Sequence, residues 1–376
     1  MLGLVLKGAN LLRHTRGIEM DIGICAASHI NDIEYIVRAE ELGYSHAWLA
    51  DSQMIWSDCY ATLALVADKT SRINIGTGVA ISGTRPSAVN ASGIATINAL
   101  APGRTFFGVG AGNTAMRIMG LPPQRIRELD RYLTEIAPLL RGQESMVHFS
   151  GVDTPVIHVM PDKGFVNFDD EIPMYVSGFG PRSLGLAGKH GDGAVMAFAA
   201  SGGAMESIWA MIEKGAADSG RSIDRGTYYM TALTTMVVLD PGEATDSARV
   251  KHECGAFAMA AIHYAYDQYR NFGHQPPNQL AGIWEDYTKL LQSYPHDRRH
   301  QRIHAGHNCW VLPEEEQFVT KETIEASCLV GSQDAILHRL NELENSGLNQ
   351  VMILPSFDPR FEVIERVAKD IVPNIG

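Results

Sequence analysis

The sequence predicts a single (β/α)8 barrel with insertions on its rim. Short apolar runs alternate with amphipathic segments along most of the chain, and the alternation yields eight strands; this is the pattern of parallel strands wrapped by helices. The composition agrees: 45% of the 376 residues are hydrophobic and 20% charged, enough apolar material for a large core. Length alone would allow two or three domains, but α/β barrels run past about 250 residues as one unit, so the periodicity decides.

Residues Met1–Glu19 do not join the pattern. They read as a disordered leader or a start codon placed too early, with an ordered N-terminal arm as the alternative. From Met20 to the C-terminus one barrel domain is expected. Asp21–Ala27 is the first strand, and Asn31-Asp-Ile-Glu34 has the form of a capping box opening a helix that Gly43 terminates. The unit recurs as strand Ser45–Ala50 with helix Asp58–Lys69, strand Ile73–Ala80 with helix Pro86–Leu100, and strand Thr105–Gly110 with helix Pro123–Leu140. A second series follows: strand Pro173–Ser177, helix Arg182–Lys189, strand Gly193–Ala197, helix Gly203–Asp218 and strand Tyr228–Leu239. Helix Gln333–Ser346, strand Gln350–Leu354 and helix Phe361–Ile371 complete the count. Arg141–Glu171 and Glu243–Lys321 fall outside the alternation and read as rim insertions, serving as lids and substrate walls or as subunit contacts.

The net charge of −12 has interspersed signs and no basic run beyond Arg298-Arg299-His300, which argues against a nucleic-acid partner and for a small molecule. Five scattered cysteines with no C-x-x-C pair read as reduced packing residues. No apolar run approaches the roughly 20 residues needed to span a bilayer, and the opening lacks a signal-peptide core, so a cytoplasmic protein is expected.

In a barrel the reactive groups sit where strands end and βα loops begin. Those ends are Ala26-Ala27-Ser28, Asp51-Ser52, Gly78-Val79, Gly110-Ala111-Gly112-Asn113 and Ser177-Gly178-Phe179-Gly180-Pro181. Gly178 and Gly180 let backbone N–H groups approach an anion, and the helix starting near Arg182 adds its positive end, so a phosphate site is expected there. Gly110-x-Gly112 is open to the same role or to that of a tight turn. Asp51 is a polar residue where the scaffold needs none, and reads as a ligand contact or a helix cap; Ser52 and Trp56 face the same mouth as candidate substrate contacts. His296, His300, His304 and His307, spaced by four, four and three, would share one face if the segment is helical, although His296 follows Pro295 in apparent loop sequence. They read as a solvated surface, as an active-site wall with one useful histidine, or as a metal site, and no matching ligand supports the last.

These residues resemble the luciferase-like flavin and deazaflavin oxidoreductases, a family including bacterial luciferase, alkanesulfonate monooxygenase and methylenetetrahydromethanopterin reductase. The resemblance runs from Met20 through nearly the whole chain. Its landmarks are Ala39-Glu-Glu-Leu-Gly43, Ile75-Gly-Thr-Gly-Val79, Thr96-Ile-Asn-Ala-Leu-Ala-Pro-Gly-Arg104, Gly108-Val-Gly-Ala-Gly112, Pro173-Met-Tyr-Val-Ser-Gly-Phe-Gly-Pro181, Gly191-Asp-Gly193 and Gly331-Ser332. It implies a cofactor ring lying across the mouth, backed by a strand-3 bulge with a non-prolyl cis peptide at Gly78-Val79, and a phosphate on Gly178, Phe179 and Gly180. It places Ala26, Ala27, Asp51, Gly112, Asn113 and Ser177 around the cofactor. One departure stands out: several deazaflavin-dependent relatives carry Asp-His at the end of strand 2, where this chain has Asp51-Ser52. Acid–base work is then left to Asp51 or to a residue of the insertion such as His307.

The function expected on this basis is a two-component monooxygenase, in which reduced FMN from a separate flavin reductase reacts with O2 and the protein shields the site from water. Phe257, Met259, Tyr264, Tyr266, Trp284 and Trp310 of the second insertion are candidate walls. The alternative is a deazaflavin (F420) dependent reductase or dehydrogenase transferring hydride, and a third reading is a flavin-binding subunit without turnover. The resemblance also implies a homodimer or homotetramer.

Overall fold

The computed structural model describes residues 20–198 and 202–375; the leader expected at Met1–Glu19 lies outside them. Eight parallel strands close a barrel in sequential order: β1 (Asp21–Ala26), β2 (His46–Leu49), β3 (Asn74–Ile81), β4 (Thr105–Gly110), β5 (Met174–Ser177), β6 (Gly193–Ala197), β7 (Tyr229–Thr234) and β8 (Gln350–Ile353). Closure is by β1 against β8, with Asp21 opposite Gln350 and Ile24 opposite Ile353. Every strand foreseen in the sequence is present, because each pairs a short β-branched or aromatic run with a helix of the right period.

Large rings fill the barrel interior. Trp48 and Phe106 lie 4.3 Å apart between ring centres, and Tyr175 stacks on Tyr229 at 5.4 Å. Small neighbours make the room: a Cβ on Gly76 would sit 2.2 Å from the Phe106 carbonyl oxygen, and one on Gly108 2.2 Å from that of Thr77. The buried indole N–H of Trp48 donates to Gln350 Oε1 at 2.8 Å, and the hydroxyl of Thr231 donates to the same oxygen at 2.9 Å, so these buried polar groups satisfy one another.

Helices Pro181–His190 and Gly202–Asp218 touch backbone to backbone through Gly185, Gly188 and Gly215. A Cβ on Gly215 would lie 2.0 Å from the Gly185 carbonyl oxygen. Gly215→Ala, a change that stabilises an isolated helix by about 1 kcal/mol, should here destabilise the fold by about 1–3 kcal/mol through overpacking. A thermal melt of the variant checks the sign.

Four expectations need correction. The capping box at Asn31 and Glu34 does not form: the helix runs Glu34–Glu41 with no side-chain cap, because residues 29–32 form a turn and Asp32 is bound instead by Arg360 at 2.5 Å. The run Tyr228–Leu239 is two strands, since Met236–Val238 leaves the barrel at Thr235 and pairs with Leu329–Gly331. The Arg141–Glu171 insertion carries an antiparallel hairpin, Ser145–Phe149 with Val152–Val156, turned at Ser150-Gly151 with φ of 53° and 81°. The histidine series does not share one helical face, since only Arg299–Arg302 is helical; His296 is exposed while His304 and His307 are buried.

The second insertion has a core of its own. Its long helix Ala248–Phe272, capped by the Ser247 hydroxyl, packs Val250, Cys254, Ile262 and Tyr266 against Tyr287 and Leu291 of helix Trp284–Ser293. Met259, Tyr266 and Trp284 therefore serve that core rather than a pocket wall, whereas Phe257 also packs against the cluster inside the barrel, with Cys25, Val195 and Leu354. All five cysteines are free and buried. Among the described residues no helix is long and apolar enough to cross a membrane.

Candidate active site

The expected site residues converge on the C-terminal end of the barrel. Ser28 ties the ends of β1 and β2 together, its hydroxyl donating to the Ala50 carbonyl at 2.7 Å. Ala26 and Ala27 line a small cavity beneath Asn308 and Cys309 of the insertion. On the opposite wall the β3 ladder shifts register between Thr77 and Ala80, and the Gly78–Val79 peptide is cis. Val79 then lies beside Gly110, and a Cβ at Gly110 would come within 3.2 Å of Ser177, so β3, β4 and β5 form one continuous, side-chain-poor wall. Gly112 turns at φ 77° into the short helix Asn113–Arg117.

After β5 the chain enters helix Pro181–His190 at Gly180. The N–H groups of Phe179, Arg182 and Ser183 have no acceptor among the described residues. A Cβ at Gly178 would meet the Leu184 nitrogen at 2.7 Å, whereas around Gly180 there is open space. Three free donors at a helix start beside an open glycine fit an anion, and the flat wall at Val79 and Gly110 fits a planar ring. The residues present thus fit a planar cofactor with a phosphate. Phe179 itself is exposed and meets the edge of Tyr264 from the long helix.

Asp51 is 3% exposed, and both its oxygens face Arg85, at 3.2 and 3.4 Å. Arg85 also grips Asp58, the cap of the following helix, at 2.6 Å. Asp51 is thus an anchored carboxylate at the end of β2, with the Arg85 guanidinium as its partner. Ser52 is buried and its carbonyl accepts the Trp56 N–H at 3.1 Å. The Trp56 ring faces His307 at 5.8 Å, so His307 does reach the β2 side of the mouth. Burial holds the His307 imidazole down to about 3, with His263 adding a smaller repulsion, and its Nδ1 is unpartnered.

The sequence reading missed a buried ionic cluster over this side of the mouth. Arg117, at the end of the short helix after β4, pairs with Asp267 of the long helix at 3.1 Å, both side chains about 4% exposed or less. Arg117 Nε and Nη2 have no partner, and His304 Nε2 lies 3.9 Å from Asp267. Burial lowers the Arg117 pKa and raises that of Asp267, each opposed by the other's charge. His263 and Glu315 form a second buried pair at 2.9 Å. Nothing in the local sequence marks Arg117, which looks like an ordinary basic residue ending a helix.

The model of the luciferase-like monooxygenase family matches residues 20–350. The chain belongs to that family. It is 28% identical over 357 residues to a 5,10-methylenetetrahydromethanopterin reductase of Archaeoglobus fulgidus, covering 92% of this chain and 96% of the relative. It is also 28% identical to an F420-dependent glucose-6-phosphate dehydrogenase of Kineococcus radiotolerans, covering 67% and 77%. The barrel superposes on the coenzyme F420 dependent tetrahydromethanopterin reductase of Methanopyrus kandleri with a TM-score of 0.70 at 21% identity, over 96% of this chain and 100% of that one. Membership makes the protein an oxidoreductase. The expected FMN-dependent two-component monooxygenase is overturned, because these relatives are a reductase and an F420-dependent dehydrogenase. The physical reason for the misreading is that FMN and the deazaflavin coenzyme both present a flat ring and a phosphate, so the glycine cradle reads alike for either.

Proposed function

We propose that this luciferase-like protein binds the deazaflavin coenzyme F420 across the barrel mouth and transfers hydride between it and a small organic substrate. The observation that carries the reading is the alignment with a methylenetetrahydromethanopterin reductase over more than nine-tenths of both chains, supported by the free N–H groups of Phe179, Arg182 and Ser183. When bound, the coenzyme supplies a two-electron hydride carrier that needs no oxygen. In this reading Phe179, Arg182 and Ser183 hold its phosphate by their N–H groups, and the Val79–Gly110–Ser177 wall backs the ring. Ala26, Ala27, Gly112 and Asn113 close the outline. Asp51, fixed by Arg85, sets a negative charge at the end of β2, and His307 offers a neutral imidazole beside Trp56. Water exclusion falls to the insertion, which brings Phe257 down to the barrel.

The test is turnover under argon and under air with F420 and a panel of alcohols, carbonyl compounds and reduced pterins. Equal rates in the two atmospheres are expected; a strict requirement for O2 would refute the reading.

A further inference from the structure

The Arg141–Glu171 insertion leaves the end of helix Ile126–Leu139 and returns to the start of β5, so both its ends lie at the end of the barrel opposite the mouth. Of the two roles open to it, lid and subunit contact, only the second suits that end. Among the described residues, more than a third of the exposed large hydrophobic side chains fall within residues 146–165. Met146, Phe149 and Val152 of the hairpin are 59–60% exposed; Ile157, Val159, Met160 and Phe165 follow it, with Val159 at 82%. Such side chains offer roughly 150–250 Å² when aromatic and somewhat less when aliphatic, so their exposed parts come to on the order of 800 Å². The largest apolar patch of a typical monomer is about 300–600 Å², and each partner of a standard interface buries about 800 Å².

Both faces of the hairpin take part. Phe149 pairs with Val152 on the face whose base, Val147, is buried against the core, and Met146 pairs with Pro155 on the other face. The hairpin is thus seated at its base and overhangs at its tip. It is also tied down: the His148 N–H donates to Glu135 at 3.2 Å, and Asn98 donates to the carbonyls of Asn167 and Asp170 at 3.0 and 2.9 Å. Asn98 belongs to helix Ser87–Leu100, which has no charged residue and exposes Val89 and Leu100, so the arm's neighbour on the barrel wall is uncharged too.

Charge decides what fits. The whole chain carries −12, yet the fixed charges of residues 145–165 are only Asp153, bound by His148 at 2.6 Å, and the adjacent opposite pair Asp162 and Lys163. In a two-fold contact the same patch meets itself, so a strongly charged patch would repel its copy; this one does not. An anionic membrane surface would call for a basic cluster, and Lys163 stands alone against the overall negative charge. Pro155 withholds an N–H from strand Val152–Val156, which blunts that strand against open-ended strand addition. We infer that this arm is a self-association surface on which a second copy of the chain packs by side chains about a two-fold axis, leaving both mouths open.

Sedimentation equilibrium of the full chain tests this, beside the double variant Phe149→Asp, Val159→Asp and, as a control at another exposed phenylalanine, Phe272→Asp. The native chain should sediment at twice its 41.1 kDa mass. The arm variant should be a monomer, its dissociation constant raised at least about a hundredfold, with an unchanged far-UV spectrum because both positions are exposed. Phe272→Asp should stay dimeric. The inference falls if the native chain is a monomer at its highest soluble concentration, if the arm variant associates as the native chain does, or if the control dissociates in its place. The native chain is also spun with phosphatidylcholine–phosphatidylglycerol vesicles and should stay in the supernatant; pelleting that the arm variant loses would assign the arm to lipid and overturn the inference. Coenzyme binding is read separately by fluorescence, so failure here leaves the hydride-transfer reading untouched.

Discussion

Arg117→Ala is expected to lower stability by about 3–5 kcal/mol, the cost of stranding one member of a buried ion pair. Asp267 is buried behind it, and its remaining cation, Arg270, stands 3.4 Å away on a partly exposed side chain. Arg117 also enters the fold with two nitrogens unpaired, so the pair itself contributes little net stability; the loss comes from the orphaned carboxylate. Replacing both partners by apolar residues, as in Arg117→Met with Asp267→Leu, should recover most of the loss. Urea unfolding of the two single variants and the double variant measures the coupling. Additive losses would mean that the two groups do not interact as the geometry implies.

The protein should lose stability on mild acidification, below about pH 6.5. His304 and His307 are neutral in the fold, held down to about 2 and about 3 chiefly by burial, with the neighbouring histidines and Arg117 adding repulsion at His304. In the unfolded chain both recover an ordinary value of about 6.5. As pH falls the unfolded chain thus binds more protons than the fold. The stability these residues contribute is complete above about 6.5 and declines below it, by up to about 1.4 kcal/mol per pH unit for each histidine. By pH 5 the two together should cost about 3–4 kcal/mol. Melting temperatures between pH 8 and 5 should fall for the native chain and much less for the His304→Gln, His307→Gln double variant. An equal slope in both would remove the histidines from the account.

The barrel was legible because its signal is local: each strand end and each helix start is written within ten or so residues, as at Asp58 capping Cys59–Lys69 or Gly43 at φ 89°. The strand-end site was legible for the same reason, since position along a strand assigns Asp51, Gly78 and Gly178 to the mouth before any contact is known. Partnership was not legible. Arg85 for Asp51 and Asp267 for Arg117 come from other elements, and only the closed barrel brings them together. The histidine series misled for a related reason. A spacing of four and three suggests one helical face, but the helix stops at Arg302 and turns fold His304 and His307 inward. The hairpin at Ser150-Gly151 did carry a local turn signal, a positive-φ pair between alternating residues, within a stretch that falls outside the βα alternation.

The cofactor is the central claim, and direct titration tests it most plainly. Purified protein is titrated with F420, FMN and, under anaerobic conditions, reduced FMN, following the fluorescence of each. Saturable binding of F420, at least tenfold tighter than either form of FMN, which is about 1.4 kcal/mol of discrimination, is the predicted result. Preferential binding of FMN, with F420 left free in solution, would contradict the account.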